Sequence, residues 1–293
     1  MTKVSEIDML SPKTVKECLQ ILGETKQEVR LLAGGTDAIV RMKEGHWRPD
    51  VWINIKGIQE LRYIREEADG IHIGPLTTHS DIVHSSLLQE KADVLVHAAS
   101  EVGALHIRNM GTIGGNLGTA SPAGDTLPPL YVLDAIIELS SMEGTRRIPI
   151  EEFFMGAGKT VQRKSEIISN IIIRSQEETE IGCFEKLGLR KAQAISIVDV
   201  AVSLKMSGNS LECKGGKIAF GSVGPTIIRA RKCESLLSLQ PLTEEAITNI
   251  ATVAWKEVAP ITDLRASASY RRDMASALLE RGLHRLMKRW CSR

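Results

Sequence analysis

Apolar positions recur along the chain in two periods, near 3.6 and near 2, and the changes between them predict the elements. Val15, Leu19 and Leu22 stand at helical spacing. Ser11-Pro12 reads as the N-cap and first residue of that helix, and Gly23 as its stop. Val29 to Ala33 predicts a short buried strand, and Val51 to Ile55 another. Arg62–Arg65 and Ile71–Ile73 form a strand pair across a polar turn. Thr78 to Leu105 reads as two helices, with Ala92–Val102 as the second. Gly111 to Gly124 predicts a glycine-rich loop, followed by a short helix within Pro122–Leu133 and a strand at Ala135–Leu139. Gly144 marks a hairpin turn, with Arg146–Ile150 as the return strand. Ile167–Arg174 is a further strand.

The acidic stretch Gln176 to Glu180 then predicts a boundary, giving units 1–176 and 177–293. The second unit reads as strands at Cys183–Leu187, Val198–Met206 and Lys217–Gly221. Helices follow at Ala230–Leu239, Glu244–Val258 and Ser267–Trp290. The irregular alternation of strand and helix predicts an α+β class rather than a doubly wound sheet.

Charge narrows the function classes. Lys+Arg number 37 against 36 Asp+Glu, a net charge of +1, which argues against nucleic-acid binding. The apolar runs are too short to span a membrane. Acidic residues near the start, Glu6 and Asp8, stand where a signal peptide needs an apolar stretch, which predicts a cytosolic chain. The five cysteines, Cys18, Cys183, Cys213, Cys233 and Cys291, lie no closer than twenty positions apart. Neither an iron–sulfur cluster nor a structural zinc has thiolates so dispersed, so no metal site is expected. His79 and His84 read as surface imidazoles. The basic end of the last helix (Arg281, Arg285, Lys288, Arg289, Arg293) fits a partner-facing or solvated surface, with part of the charge complementing the helix dipole.

The chemistry concentrates in two glycine segments. In Leu31-Leu32-Ala33-Gly34-Gly35-Thr36-Asp37 a strand runs into a double glycine, a hydroxyl and a carboxylate. Such a turn can expose successive N–H groups as an anion nest, and a tight turn without ligand reads the same way. The second segment, Met110-Gly111-Thr112-Ile113-Gly114-Gly115-Asn116-Leu117-Gly118, is too glycine-rich for a favourable helix or strand. Either a bound phosphate or diphosphate offsets its ordering entropy, or it is a mobile surface loop. Gly156-Ala157-Gly158-Lys159-Thr160 fails as a P-loop, because Phe153 occupies the position of the required first glycine.

Taken together, Ala33–Asp37, Ile107–Leu117 and Ala120–Asp125 resemble the FAD-binding medium subunit of molybdenum hydroxylases, the family of xanthine dehydrogenase and carbon monoxide dehydrogenase flavoproteins. Phe184–Arg190 and Arg265–Arg272 extend the resemblance over nearly the whole chain. It implies an FAD-binding domain of the vanillyl-alcohol oxidase/p-cresol methylhydroxylase type, in two lobes, and a smaller α+β C-terminal domain. Leu31, Leu32, Ala33, Gly34, Gly35, Thr36, Asp37 and Ala38, with Thr112, Ile113, Gly114, Gly115 and Asn116, would wrap the FAD diphosphate through backbone N–H groups. The Thr36 and Thr112 hydroxyls would assist. Asp125 would stand near the adenosine end, Ile168 would meet the isoalloxazine through its backbone, and Lys186 would place a cation beside the ring. No side chain is implied as a general acid or base.

Val102 stands where some relatives place a stacking aromatic, so aliphatic groups or solvent would cover the ring; Phe184 and Tyr270 are other candidates. The implied partners are a molybdenum-cofactor subunit and a subunit with two [2Fe–2S] clusters, in a heterotrimer that often doubles. Electrons would leave to NAD or another acceptor. A self-sufficient flavin oxidoreductase and an FAD-less scaffold are the alternatives.

Overall fold

Three sheets organise the chain in the computed structural model, which describes residues 8–208, 211–239 and 241–292. The first is parallel, with β1 (Asp8–Leu10), β2 (Val29–Leu32) and β3 (Val51–Asn54) in the order β1-β3-β2. The helix Val15–Glu24 crosses from β1 to β2. Its N-cap is Thr14, whose hydroxyl accepts from the Glu17 amide at 3.1 Å, rather than Ser11. Gly23 lies inside the helix rather than beyond its end. Cys18, Leu19 and Leu22 pack there on Ile53, Ile55 and Ile58. β2 is half-buried rather than buried, because one side faces a cavity.

The second sheet is antiparallel. Its strands are β4 (Ile64–Glu67), β5 (Gly70–Ile73), β6 (Ile136–Ser141), β7 (Gly144–Pro149) and, after a small hairpin of β8 (Phe154–Gly156) and β9 (Lys159–Thr160), β10 (Ile167–Ile173). They run in the order β4-β5-β10-β6-β7. Between β5 and β6 the predicted two helices are three, His79–His84, Ser86–Lys91 and Asp93–Glu101. Ser85 ends the first and caps the second, accepting from the Leu88 amide, and Ala92 leaves helical geometry between the second and third.

The glycine-rich segment expected as a loop contains a helix, Ile113–Thr119. Thr112 caps it, and Ile113 and Leu117, one turn apart and fully buried, pin it to the core. Packing overrides the poor helix propensity of glycine. A side chain at Gly114 could not be accommodated: its Cβ would stand 2.5 Å from Pro75 Cβ.

The third sheet, β11 (Glu180–Gly188), β12 (Ser196–Met206), β13 (Cys213–Gly221) and β14 (Ile228–Arg229), is antiparallel in that order. The helices Arg231–Leu237, Glu244–Glu257 and Ala268–Cys291 accompany it, and their apolar residues share a core with β11–β13. The basic face of the last helix is largely exposed, as a partner-facing or solvated surface would be, and three of its arginines also pair with carboxylates of the chain. Arg281 and Arg285 pair with the buried Glu185 at 2.6 and 2.8 Å, and Arg289 pairs with Asp93. Arg293 lies outside the described residues. Among them, no helix is long and apolar enough to cross a membrane. Phe184, Ala201, Ala219 and Ile227 of the C-terminal half belong to the main core of the preceding half, so the two halves pack through a common interior.

Candidate functional site

A cavity of about 750 Å³ opens between the lobes. Its walls come from residues 28–41, from 102–125, from the β8–β9 hairpin to Ile168, and from Gln193-Ala194-Ile195. The two glycine segments, eighty positions apart in sequence, meet in it. A Cβ on Gly34 would fall 2.0 Å from the Met110 carbonyl oxygen, so only glycine lets the segments touch backbone to backbone. Gly35 adopts φ +76°, in the left-handed region.

The first segment carries unused donors. The amides of Gly34, Gly35, Thr36 and Asp37 reach no acceptor among the described residues. Residues 34–36 are half-exposed and Asp37 is exposed, so this run of successive amides at the cavity wall is open to an anionic ligand as a nest. The second segment differs from the implied arrangement. Its Ile113 and Gly114 amides donate to Thr77 and Pro75 carbonyls at 3.0 and 2.9 Å. Gly115 donates to the Thr112 hydroxyl at 3.0 Å and Asn116 to the Thr112 carbonyl at 2.9 Å. These four N–H groups are taken, so this segment presents its glycine surface to the cavity instead. Gly118 has nothing within 4 Å of its would-be Cβ and opens onto the cavity.

Leu31, Ala33–Ala38, Thr112, Gly114, Gly115, Asn116, Asp125 and Ile168 all line the cavity. Leu32 and Ile113 stand behind the wall, Ile113 fully buried in the main core. Ile168 is placed by an irregularity in β10: the register against β6 shifts between Ile168 and Asn170. Lys186 faces an adjoining cavity of about 310 Å³ that shares Gln193 and Ala194 with the larger one.

Lys186 Nζ donates to Asp125 Oδ2 at 2.6 Å and to the Glu101 carbonyl at 3.1 Å. One ion pair thus joins the two groups that the resemblance sets at opposite ends of FAD. They stand side by side in this structure, and the lysine charge is matched by a carboxylate. Burial raises the Asp125 carboxyl above its ordinary range against the lowering effect of Lys186. The Ser196 hydroxyl donates to Asp125 Oδ1 at 2.6 Å.

His79 is not the surface imidazole expected. It is buried on the cavity wall, burial holds it down to about 4, and its Nδ1 has no partner. His79 is therefore a neutral ring at physiological pH. Among the described residues Trp47 is the aromatic on the cavity wall, with the Arg30 and Arg41 guanidinium carbons 4.2 and 5.2 Å from its ring centroid. Sequence reading passed over it because no glycine motif marks it. Phe184 is buried in the core and Tyr270 is exposed on the last helix, and neither lines the cavity. Val102 and Ile195 do, so aliphatic groups supply apolar wall there. Arg30, Arg41, Arg163 and Lys164 put positive charge around the cavity.

Residues 5–174 match the family described as the FAD binding domain in molybdopterin dehydrogenase, and residues 184–286 match the CO dehydrogenase flavoprotein C-terminal domain. The chain is 32% identical over 282 residues to the nicotinate dehydrogenase FAD-subunit of Eubacterium barkeri, covering 95% of each. It is 31% identical to the carbon monoxide dehydrogenase medium chain of Hydrogenophaga pseudoflava, covering 94% of each. A solved chain of carbon monoxide dehydrogenase from that organism superposes with a TM-score of 0.92 at 30% identity, over 97% of this chain and 98% of the other. The free amides and the glycine contact fit the diphosphate of such a cofactor, and the chain belongs to the family of FAD-binding subunits of molybdenum hydroxylases.

Proposed function

We propose that this chain is the electron-exit subunit of a cytosolic molybdenum hydroxylase complex. A [2Fe–2S] subunit would feed it electrons won by a molybdenum subunit, and NAD or another acceptor would carry them away. The observation that carries the reading is the run of unpaired amides from Gly34 to Asp37 on a cavity that both glycine segments line. FAD, when bound, supplies the ability to take electrons singly and give them up as a pair.

The chain's own residues position and shield. Gly34–Asp37 offer N–H groups to the diphosphate, and Thr36 and Thr112 add hydroxyls. Leu31, Leu32, Ala33, Ala38, Ile113, Gly114, Gly115 and Asn116 form the wall and its support. Ile168 presents backbone at the irregular part of β10. Asp125 and Lys186 act as one pair at one end of the cavity. His79 stays neutral and adds no charge to the wall. We place the division between the FAD-binding unit and the C-terminal unit at 176/177, in the connection between β10 and β11.

The test is to load the full chain with FAD, reduce it, and offer NAD⁺. Reoxidation by NAD⁺ supports a nicotinamide acceptor. Reoxidation only by quinones or dyes contradicts NAD and keeps the exit role. A chain that binds no FAD contradicts both.

A further inference from the structure

Two cations on the cavity wall lack a counter-charge. Arg30 on β2 and Arg41 on the helix Ala38–Lys43 both lie over the Trp47 ring, their guanidinium carbons 4.2 and 5.2 Å from its centroid. All three residues are half-buried and line the cavity. A chain reversal brings the indole there. Gly45 takes φ +78°, and the His46 and Trp47 amides donate back to the Arg41 carbonyl at 2.9 and 3.3 Å. Among the described residues neither guanidinium forms an ion pair or donates a hydrogen bond.

Two like charges this close, partly desolvated, favour an anion beside them. Burial lowers the Arg30 guanidinium from its ordinary value; the Glu28 charge opposes this and the like charge of Arg41 adds to it. The indole attracts both cations but gives their N–H forks no lone pair in return. Such forks suit phosphate oxygens and the acceptor nitrogens of a base. Elsewhere on the cavity the wall is different. The Lys186 charge is matched by Asp125, and Val102 and Ile195 are aliphatic. The two ends of FAD differ in the same sense. Its oxidised flavin ring is uncharged and stands a ribityl chain away from the diphosphate, whereas adenine stands one ribose from its phosphate. β2 leads from Arg30 to the amide nest at Gly34, so at most about 14 Å of backbone separates them. An arginine side chain and a nucleoside together cover that interval.

We propose that Arg30, Arg41 and Trp47 form a subsite for the adenosine monophosphate half of FAD, through which the chain prefers FAD to FMN. The guanidinium forks donate to phosphate oxygens and to acceptor nitrogens of adenine. The indole holds both arginines in place and gives the base an apolar edge. The nest at Gly34–Asp37 takes the diphosphate next to it. This subsite rests on the reading that FAD occupies the cavity, and adds which residues tell that cofactor from its shorter relative.

The test is titration of the FAD-free full chain with FAD, FMN and ADP, read by calorimetry. The wild-type chain should bind ADP, and ADP should compete with FAD. Arg41→Met removes one fork and keeps a helix-forming stem. Its FAD and ADP affinities should fall at least ~10-fold, the loss of about one charge-assisted hydrogen bond, while FMN affinity changes less than about threefold. Trp47→Leu should move the three affinities the same way, because the arginines lose their support. If FMN affinity falls as far as FAD affinity, or if none of the three changes, the subsite is overturned. A wild-type chain that binds FAD and ignores ADP overturns it as well. Arg30→Lys keeps the charge and loses the fork, and gives the same comparison should Arg41→Met fail to fold. A wild-type chain that binds neither FAD nor ADP contradicts the cofactor reading itself.

Discussion

Single atoms decide most of the site. Gly34 and Gly118 both line the cavity, yet their would-be Cβ positions differ entirely. Gly34→Ala drives a methyl into the Met110 carbonyl and must part the two segments. FAD affinity, measured by absorbance titration, should fall at least ~10-fold, the equivalent of about 1.4 kcal/mol. Gly118→Ala meets no protein atom and replaces a helical glycine, so the unliganded chain should melt no lower and gain up to about 1 kcal/mol. Unchanged FAD affinity in Gly34→Ala would contradict the contact. A second residue-scale expectation concerns acid. Hydrogen bonding from Arg265, then the amide and charge of the same residue and Arg271, holds the Asp263 carboxyl below its ordinary range. A depressed carboxyl gives stability that is present above its unfolded pKa, about 3.9, and lost as pH falls through the folded value. Asp263→Asn should therefore lower the melting temperature at neutral pH, with the deficit closing toward strongly acidic pH. A constant deficit at all pH values would assign the loss to packing instead.

At the scale of elements, strands were the readable part. β2, β3, β5, β6 and β10 carry short β-branched or leucine-rich runs, and their predicted positions agree with the structure to within a few residues. The helix Ile113–Thr119 was not readable, because its local composition opposes it and only burial of Ile113 and Leu117 with the Thr112 cap holds it. The two glycine segments announced a ligand site, but not which of them keeps its amides free; that depends on Thr77 and Pro75, over thirty residues upstream of the second segment. His79 and Trp47 carried no motif. The Thr112 cap gives a prediction of its own. Thr112→Ala removes the acceptor for the Gly115 amide and should cost the fold about 1 kcal/mol, read from denaturant unfolding.

Over the whole molecule, the sequence suggests two units, whereas the interior is shared. Phe184, Ala201, Ala219 and Ile227 lie in the main core beside residues of β5, β6 and β10. Arg229 pairs with Glu151 at 2.8 Å and Arg289 with Asp93, tying the halves together at the surface. Such a contact should make unfolding one cooperative event. Trp47 and Trp52 report the first half, Trp255 and Trp290 the second. Single-tryptophan variants followed in urea should show coincident midpoints; separate midpoints would mean that the halves are independently stable.

Whether this cavity holds FAD for electron transfer is read from the visible spectrum of the purified full chain, with chromatography of any released flavin. A flavin spectrum, released FAD and bleaching by a chemical reductant are expected. A colourless protein that takes up no added FAD would contradict the FAD reading.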